Sequence, residues 1–581
     1  MISAPYRIYR NVTKTLHPFC GESLLRLRRH LNPHKEDSGE NHIRRRLGKW
    51  DNKLDSSLSF TSFSKNLQDK HNYQSRNDPH SNDDTAIDTT NNNNNNTAPT
   101  TIWFHAASAG ESIAAVPIIS KLLNEIPSSR VLLSVGTQTG RCAAKAALKQ
   151  QPNLNLNLNL KRNVLVVPPP IDTPQAVDGF LLHFQPTMGI MMESELWPNL
   201  IYGSYQHNIP LSILNGRLSK KTYQRWSNGG GGGNRYVNVR FALNMLKDML
   251  QRFDLILSQS QQDTDRYNNV LQHAIDDQQF ISRPTKVATI PNVKLAPPLP
   301  STVIQDTATA TASAASTSTA TAWDKKVLSA KQLFHGLKNN NNENDPKILN
   351  IVVASTHDGE EVIVAEAFKQ LLPPHRLIYV PRHPERSNQI VNALSNVYDD
   401  VDVATTKMDA FGDDVLAIVD RDEKKNGNHG NHRNHRNHRN HRKTIVVSAM
   451  GMLTSLYAAA DVAIVGGSLK NTNGNVGQHN VLESLREGCV VLYGKYSSEH
   501  FEHEVASHLV TAAATINVTP CCIQIDIENE TDLPNVLEDI LQSNTMRKDI
   551  RRKEVMHVAN HVSDGVVEQI WLHLEKWIQK K

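Results

Sequence analysis

Short apolar runs alternate with amphipathic helical patterns along most of the chain. The run Ile102–Ala106 is followed, after Gly110, by a segment from Glu111 with apolar residues at helical spacing. Strand-like runs separated by helical patterns are typical of right-handed βαβ units around a parallel sheet. The alternation resumes near residue 346, so we expect an α/β fold with two Rossmann-like, doubly wound domains. The predicted strands are Ile102–Ala106, Val131–Val135, Val164–Val167, Thr187–Met192, Pro210–Leu214, Asp254–Ser258, Lys286–Ile290, Leu349–Ala354, Arg376–Val380, Ile445–Val447, Val462–Val465 and Val490–Leu492.

Polar low-complexity segments divide the chain. Such compositions bury too little apolar surface to order themselves, and they lower the hydrophobic fraction of the chain to 39%. The predicted organisation is a basic segment at 1–50, a disordered asparagine-rich linker at 51–99, an N-terminal domain at 100–295, a low-complexity linker at 296–345 and a C-terminal domain at 346–581 with a disordered His/Arg-rich insertion at 423–443.

The first fifty residues are rich in arginine and poor in acidic residues. Glu22 is the only acid before Glu36, and no uninterrupted apolar run is long enough to cross a bilayer. Such a segment is typical of an organelle transit peptide, and we predict a mitochondrial location, with another organelle such as the plastid as the alternative. It is also typical of a basic amphipathic helix on an anionic membrane surface, so both interpretations stay open.

The net charge bears on the kind of partner, and the cysteine content bears on the compartment. The net charge of +5 is concentrated in the N-terminal segment and a His/Arg tract, so it does not indicate a nucleic-acid partner. The five cysteines include no Cys-x-x-Cys pair, which fits neither a disulfide framework nor a zinc site. We therefore expect a reducing compartment.

Charged residues follow several predicted strands, where the loops of a doubly wound fold meet its ligands. In the first half they include the carboxylates Glu111, Glu193 and Glu195, which suit removal of a proton from a hydroxyl nucleophile. In the second half Arg382 and Arg386 suit the binding of a phosphate. A nucleotide-sugar transferase needs this division, with donor and acceptor on opposite walls of a central cleft.

A glycine turn in the second half is the clearest candidate for an anion site. Gly466 and Gly467 follow a predicted strand and allow close approach of the backbone to a ligand. Asn480 is placed to cap a following helix, and a helix N-terminus attracts anions. The same spacing is also found in ordinary strand-to-helix turns, because short glycine motifs are weakly specific.

Three Asp-x-Asp patterns raise the alternative of a metal-dependent sugar transferase. Asp263 and Asp265 open a predicted helix, where acidic residues are favoured by the helix dipole. The other two, Asp400/Asp402 and Asp420/Asp422, are interpreted as polar loops beside charge runs. No metal site is predicted.

Several segments resemble the motifs of the Kdo transferases of lipid A biosynthesis, glycosyltransferase family 30. These enzymes move 3-deoxy-D-manno-octulosonic acid (Kdo) from its CMP-activated form onto a lipid A precursor. The matching segments occur in the order of the family, over residues 101–505. They are His105–Glu111, Thr137–Gly140, Glu193–Asn199, Asn215–Ser219, Ser355–Glu361, Pro381–Arg386, Val465–Leu469 and His479–Glu483.

The resemblance implies a GT-B fold and an inverting transfer that needs neither a metal nor a cofactor. It implies that Glu111 is the general base, and that Glu193 and Lys294 stabilise the transition state. Its implied partners are CMP-Kdo and a lipid A precursor glycolipid, and the basic N-terminal segment adds a membrane surface as an expected partner. The residues implied to bind the CMP donor are Pro381, Arg382, Met450, Gly451, Met452, Asn480, Val481, Leu482 and Glu483.

The chain departs from the family pattern at three places. Met452 stands where relatives carry an acid, the loop at 471–478 is expanded, and a basic segment replaces an apolar N-terminal anchor. The asparagine-rich insertions and the basic start favour a eukaryotic, organelle-targeted member. Two alternatives remain open: a catalytically silent GT-B binding protein and a GT-B enzyme that uses a UDP-sugar.

Overall fold

The computed structural model forms two compact units, Met1–Thr307 with Gly565–Lys581, and Ala308–Asp564. The predicted disordered segment 51–99 lies outside the described residues, as does Met450. The predicted insertion 423–443 also lies outside them except for Lys443, which begins a strand. The structure describes residues 6–15, 40–50, 100–150, 163–220, 222–224, 239–272, 284–296, 322–337, 348–369, 371, 375–408, 414–419, 443–449, 451–471, 480–496, 501–515, 518–529, 531–544 and 548–581.

The first unit is built on a parallel sheet in the strand order β3-β2-β1-β4-β5-β6-β7. All of its described neighbouring strands pair in parallel. The order reverses on either side of β1, which is the doubly wound arrangement predicted from the sequence. The strands are β1 (Thr101–Ala106), β2 (Arg130–Val135), β3 (Val164–Val167), β4 (Met188–Met192), β5 (Leu211–Gly216), β6 (Phe253–Ser258) and β7 (Lys286–Thr289).

Helices cover this sheet and bury its apolar strands. Trp103 on β1 and Phe180 on a covering helix belong to one hydrophobic core, and both are fully buried. Strands that are covered on both faces have almost continuous apolar sequences, and they could therefore be predicted well. The helices are α1 (residues 6–15), α2 (Glu40–Arg46), α3 (Ala109–Glu125), α4 (Gln138–Gln150), α5 (Pro174–Phe184), α6 (Pro198–Gln206), α7 (Val239–Leu250) and α8 (Gln261–Gln272).

The second unit contains a mixed sheet in the order β11-β10-β12-β9-β8-β13-β14-β15. Its strands are parallel except for the edge strand β11, which pairs antiparallel with β10. The two doubly wound units confirm the predicted fold class. The strands are β8 (Asn350–Thr356), β9 (Arg376–Pro381), β10 (Asp400–Met408), β11 (Asp414–Ile418), β12 (Lys443–Val447), β13 (Val462–Val465), β14 (Val490–Gly494) and β15 (Cys522–Ile525).

One helix of the second unit lies inside the segment predicted to be a linker. Helix α9 (Ala322–Gly336) packs against β11 and the helix Leu453–Ala459, and its residues Ala330, Leu333 and Phe334 are buried. Its apolar spacing was hidden by the adjoining Ala/Thr-rich tract. The further helices are α10 (Glu360–Lys369), α11 (Ser387–Leu394), α12 (Leu453–Ala459), α13 (Leu482–Arg486), α14 (Phe501–Thr515), α15 (Asp532–Asn544) and α16 (Lys548–Ser563).

The last helix, α17 (Val566–Ile578), belongs to the first unit, whereas the sequence grouped it with the C-terminal domain. It packs against α3 and against the short 3₁₀ helix Val293–Leu295. Its buried face includes Trp571, Leu574 and Trp577. An apolar stripe shows that a helix is buried, but it does not say against which partner.

The basic N-terminal segment also contributes to the first unit. Tyr6 on α1 is 1% exposed and lies in the main core, and Ile43 and Leu47 in and after α2 are buried. None of the described helices combines the length and apolar character needed to cross a bilayer. The described part of the N-terminal segment is therefore folded helix, packed on the unit that follows it.

Candidate active site

Glu111 lies in the first turn of α3, directly beyond the end of β1. The Ser108 hydroxyl caps this helix by accepting from the Glu111 N–H at 3.3 Å, and it donates to Glu111 Oε1 at 2.8 Å. The Ala107 N–H donates to Glu111 Oε2 at 2.7 Å. This reciprocal arrangement is a capping box, and it holds the carboxylate in one orientation.

The environment of Glu111 favours its protonated form. The residue is 8% exposed, and loss of solvent raises the pKa of its carboxyl group. The nearby charge of Glu193 raises this pKa further, whereas the hydrogen bonds from Ala107 and Ser108 and the charge of Lys294 lower it. Each carboxylate oxygen keeps a lone pair beyond its one protein donor, so Glu111 can still accept a proton from a substrate hydroxyl.

Glu193 and Lys294 form an ion pair close enough to influence Glu111. Lys294 Nζ lies 3.0 Å from Glu193 Oε1. Glu193 follows β4 with φ of 54°, a left-handed conformation that costs free energy for a residue with a side chain. Such a conformation persists where neighbouring contacts impose it. In this conformation the Glu193 carboxylate lies beside Lys294.

Two asparagines hold the loop that carries Lys294. Asn292 Oδ1 accepts from the Lys294 N–H at 2.8 Å, and Asn292 Nδ2 donates to Gln259 Oε1 at 2.6 Å. Asn215, also left-handed with φ of 62°, accepts the Val293 N–H at 3.0 Å. The Asn215–Ser219 motif of the sequence therefore acts through the Lys294 loop.

Glu195 is a third carboxylate in this region. Trp197 Nε1 donates to Glu195 Oε2 at 2.8 Å, and burial together with the charges of Glu111 and Glu193 raises the pKa of Glu195 to about 7. The Trp197 ring meets the fully buried His105 edge to face at 4.9 Å. The three acids therefore interact electrostatically with one another.

In the second unit, basic side chains follow β8, β9 and β13. Arg382 is exposed, and its guanidinium has no hydrogen-bond or ion-pair partner among the described residues. His357 lies close enough to Arg382 and His383 that their charges add to burial in lowering its pKa. Lys470 Nζ lies so near Gly359 that a Cβ there would approach it to 2.8 Å. Arg386, by contrast, is paired with Asp358 at 3.0 Å and Glu361 at 3.2 Å.

The glycine turn predicted to bind an anion already holds a carboxylate of the protein. Glu360 accepts from the Gly467 N–H at 2.9 Å and from the Leu469 N–H at 3.0 Å. A Cβ on Gly466 would lie 2.7 Å from Glu360 Oε2, which explains the glycine. Helix α13 after the turn has only five residues. The N–H groups of this turn therefore bind a side chain of the protein itself, and the prediction that they bind an external anion was wrong.

The residues implied to bind CMP differ in what they offer a ligand. Pro381, Met452, Val481 and Leu482 are buried, so their side chains are not offered to a ligand. Arg382, Gly451 and Asn480 are exposed, with φ of 75° at Gly451. Met450 lies outside the described residues.

One hydrogen bond links two of these donor-site segments. Thr454 donates to Glu483 Oε1 at 2.7 Å, which joins the start of α12 to the start of α13. No local pattern predicted the contacts of Thr454, Glu360 and Lys470, because their partners lie far away in the chain. The Ser-x-x-Glu spacing of Ser108 and Glu111, by contrast, is a local pattern that indicates a capping box.

The Asp-x-Asp patterns have structural roles where they are described. Asp402 and Asp400 lie on β10 and approach Lys443 Nζ at 2.7 Å and 3.6 Å, so the prediction of a polar loop there was wrong. Asp263 lies in the first turn of α8, as predicted, and accepts the Leu218 N–H at 2.8 Å. Asp420 and Asp422 lie outside the described residues. Within the described ranges no three His, Cys, Asp or Glu side chains gather as a metal site would require.

Two doubly wound units, with acidic side chains at the strand ends of one and basic side chains at those of the other, have the two-domain architecture of GT-B glycosyltransferases. Residues 81–286 match the family model described as 3-deoxy-D-manno-octulosonic-acid transferase (kdotransferase). The chain is 28% identical over 475 residues to a probable mitochondrial 3-deoxy-D-manno-octulosonic acid transferase of Arabidopsis thaliana, covering 81% of this chain and 83% of that protein. It is thus a homologue of the Kdo transferases, which confirms the resemblance and the class of enzyme.

Two further comparisons extend the range of relatives. A 3-deoxy-D-manno-octulosonic acid transferase of Haemophilus influenzae is 27% identical over 402 residues, covering 69% of this chain and 71% of that protein. The solved C-terminal CMP-Kdo binding domain of WaaA from Acinetobacter baumannii is 18% identical, with a TM-score of 0.26, and covers 40% of this chain and 96% of that one. The sequence matches, which span most of the chain, carry the assignment.

Proposed function

We propose that this enzyme moves Kdo from CMP-Kdo to a hydroxyl group of a glycolipid that resembles a lipid A precursor, with inversion at the sugar. The acceptor oxygen forms a bond to the anomeric carbon of Kdo, the bond from that carbon to the phosphate breaks, and CMP leaves with the bonding electrons. The acceptor proton passes to Glu111. The observation that carries the proposal is the oriented, desolvated carboxylate of Glu111 beside the Glu193–Lys294 pair.

The position of Glu111 suits a general base. Its two hydrogen bonds keep the side chain from turning away, and its raised pKa brings it closer to working pH, where proton transfer is most efficient. A carboxylate of ordinary pKa in free solvent would hold a transferred proton much less well. Glu111 thus combines a fixed direction with increased basicity.

Glu193 and Lys294 supply charge near the reacting sugar. Transfer of a sugar passes through a transition state with positive character at the ring, which a carboxylate stabilises. The Glu193–Lys294 pair leaves Glu193 22% exposed and Lys294 33% exposed, so both keep access to a ligand. We assign Glu193 to the developing ring charge and Lys294 to a negative group of the substrate.

The basic side chains at the strand ends of the second unit suit binding of the donor's phosphate. The Arg382 guanidinium has no hydrogen-bond or ion-pair partner among the described residues to release, and His357, whose lowered pKa favours the neutral ring, lies nearby as an uncharged hydrogen-bonding group. A guanidinium binds a phosphate through two parallel hydrogen bonds and stabilises the charge of a leaving CMP. Asn480 and the backbone at Gly451, Val481 and Leu482 would contact the nucleoside.

We further propose a mitochondrial location and a membrane-bound acceptor. The Arabidopsis relative is described as mitochondrial. On α1 the outward face carries the apolar side chains Ile8 and Val12, 57% and 50% exposed, beside the exposed Arg7. Apolar and basic residues on one helix face favour contact with an anionic membrane surface.

The activity test uses the purified full-length protein, CMP-Kdo and a tetraacyl lipid A precursor, with product mass as the readout. Wild type should form the Kdo adduct, and Glu111→Gln should lose about 10²–10⁴-fold in kcat while binding CMP normally. Glu125→Gln is the matched control, because Glu125 lies on the same helix and forms a surface ion pair with Lys121. Undiminished transfer by Glu111→Gln would exclude Glu111 as the base.

The donor is tested separately by ligand-dependent melting. CMP should raise Tm and UDP should not, and Arg382→Ala should reduce the CMP effect, because stabilisation follows the fraction of protein bound. The exposed cation Lys369 on α10, changed to alanine, serves as the control. Stabilisation by UDP alone would support the UDP-sugar alternative, and binding of CMP without any transfer would support a silent binding protein.

A further inference from the structure

Helix α1 is anchored in the core of the first unit by Tyr6. Its ring stacks on Tyr202 with the centroids 3.3 Å apart and the planes 5° from parallel. Its hydroxyl donates to Asn199 Oδ1 at 3.3 Å, and both Tyr6 and Asn199 are 1% exposed. A tyrosine buried this completely is part of the hydrophobic core, because removing it would expose the apolar surface around Tyr202.

Tyr9 continues the same contact one turn further along α1. Its hydroxyl donates to Asp172 Oδ2 at 2.9 Å. The Asp172 carboxylate in turn accepts the N–H groups of Leu200 at 2.9 Å and Asn199 at 3.3 Å, which are otherwise unpaired donors at the start of α6. Asp172 therefore caps α6, and Tyr9 orients the capping carboxylate.

Thr13 completes a row of contacts on one face of α1. Asn199 Nδ2 donates to Thr13 Oγ1 at 3.1 Å and to the Asp172 carbonyl oxygen at 2.7 Å. Residues 6, 9 and 13 share one face at helical spacing. Tyr6 and Thr13 contact Asn199 of α6 directly, and Tyr9 acts through Asp172. The opposite face, with Asn11, is exposed.

The start of α6 directly follows the loop that carries Glu193, Glu195 and Trp197. The geometry points to α1 as a permanent part of the folded enzyme, whose Tyr6 and Tyr9 position this acid-bearing loop through Asn199 and Asp172. Residues 6–15 are therefore retained in the mature protein and are not removed as a presequence. Retention stands independently of the chemistry, whereas the positioning role rests on the proposed function.

Retention is tested by the mass of the mature protein. The full chain is expressed in a eukaryotic cell with a C-terminal tag, purified from its compartment, and analysed by intact mass and N-terminal peptide mapping. The peptide that contains Tyr6 and Tyr9 should be present in the folded protein. A folded, monodisperse protein whose N-terminus lies beyond residue 15 would overturn the inference.

Positioning is tested with Tyr9→Phe, which keeps the ring and removes only the hydroxyl. It should lower Tm by about 2–4 °C, the shift expected when one net hydrogen bond is lost from a unit of this size. Asn11→Ala, on the exposed face of the same helix, should leave Tm unchanged. Equal Tm for wild type and Tyr9→Phe would refute a role of this hydroxyl in capping α6.

A second readout separates positioning from general stability and does not require catalysis. Trp197 donates to Glu195, so its fluorescence, taken as the difference between wild type and Trp197→Phe, should follow the ionisation of Glu195. Tyr9→Phe should shift the midpoint of this pH titration, measured well below Tm, and Asn11→Ala should not. A Tyr9→Phe midpoint identical to wild type would exclude positioning of the loop, whether or not the protein transfers Kdo.

Discussion

Both carboxylate oxygens of Glu360 lie 2.9 Å from the backbone nitrogen of Gly467. The same carboxylate accepts the N–H groups of Leu469 and His357, so one side chain joins the ends of β8 and β13. The backbone N–H groups of the glycine turn, which the sequence suggested as a phosphate site, are thus already bound by a carboxylate of the protein. In the proposed function, the phosphate of the donor is therefore assigned to side chains such as Arg382.

Glu360→Gln should destabilise the second unit. The amide keeps one accepting oxygen but turns an NH₂ group toward backbone donors, leaving at least one of them unsatisfied at a cost of about 1–3 kcal/mol. Urea unfolding followed by circular dichroism measures the change. Glu366→Gln is the control on the same helix, since Glu366 is half exposed and forms a surface ion pair with Lys369. Equal losses in the two variants would show that the bonds to the turn contribute nothing.

Ser108→Ala should reduce both stability and turnover. Loss of an N-cap hydroxyl costs about 1 kcal/mol, and Glu111 loses the donor that holds Oε1. Ser108→Thr keeps the hydroxyl and should preserve most of both properties. Thermal melting and kcat on one preparation of each variant provide the comparison, and a Ser108→Ala enzyme with normal kcat would show that the capping box does not orient Glu111.

Glu195→Gln should flatten the pH dependence of stability. The carboxyl group has a pKa of about 7 when folded and an ordinary value of 4.5, so the folded state binds the proton more tightly. Stability is then greatest at low pH and falls as pH rises from 4.5 to 7. The variant should match wild type near pH 4.5 and melt at a higher temperature at pH 8, with a residual slope from Glu111.

The control for this pH experiment is Glu125→Gln on α3, a solvent-exposed acid. It should retain the wild-type slope over the same range. If Glu195→Gln shows the same loss of stability with rising pH as wild type, Glu195 is already ionised at low pH in the folded protein.

Lys294→Gln should affect activity far more than stability. The ion pair with Glu193 is partly exposed, and pairs of this kind contribute about 0.2–1 kcal/mol. A role in the transition state predicts a loss in kcat of more than about tenfold, because one lost charge contact there is worth more than 1.4 kcal/mol. Comparable small effects on both quantities would identify the pair as structural.

The buried strands could be predicted from the sequence because their apolar runs are continuous. Val164–Val167 and Val462–Val465 coincide with β3 and β13. Strands β10, β11 and β15 were missed, since half-exposed strands mix charged and apolar residues and resemble loops. Burial on both faces, rather than strand propensity, therefore made a strand recognisable.

The site was predictable where a motif contains its own partners. Ser108 and Glu111 lie three residues apart. The family resemblance implied a role for both Glu193 and Lys294, which the structure places 3.0 Å apart. The bond between Glu360 and Gly467 joins residues 107 positions apart, and no local pattern indicates it. Tertiary partners of this kind decide whether a glycine turn is open to a ligand.

The first unit cannot finish folding until helix α17 has been synthesised, because this helix is part of it. The helix is made after the whole of the second unit, yet it covers α3 and the 3₁₀ helix that carries Lys294. Until residue 578 has left the ribosome, the apolar surface beneath Trp571 and Trp577 remains uncovered. A nascent chain that stalls or is cut near residue 564 would hold every acid of the candidate site and still lack the support for its lysine.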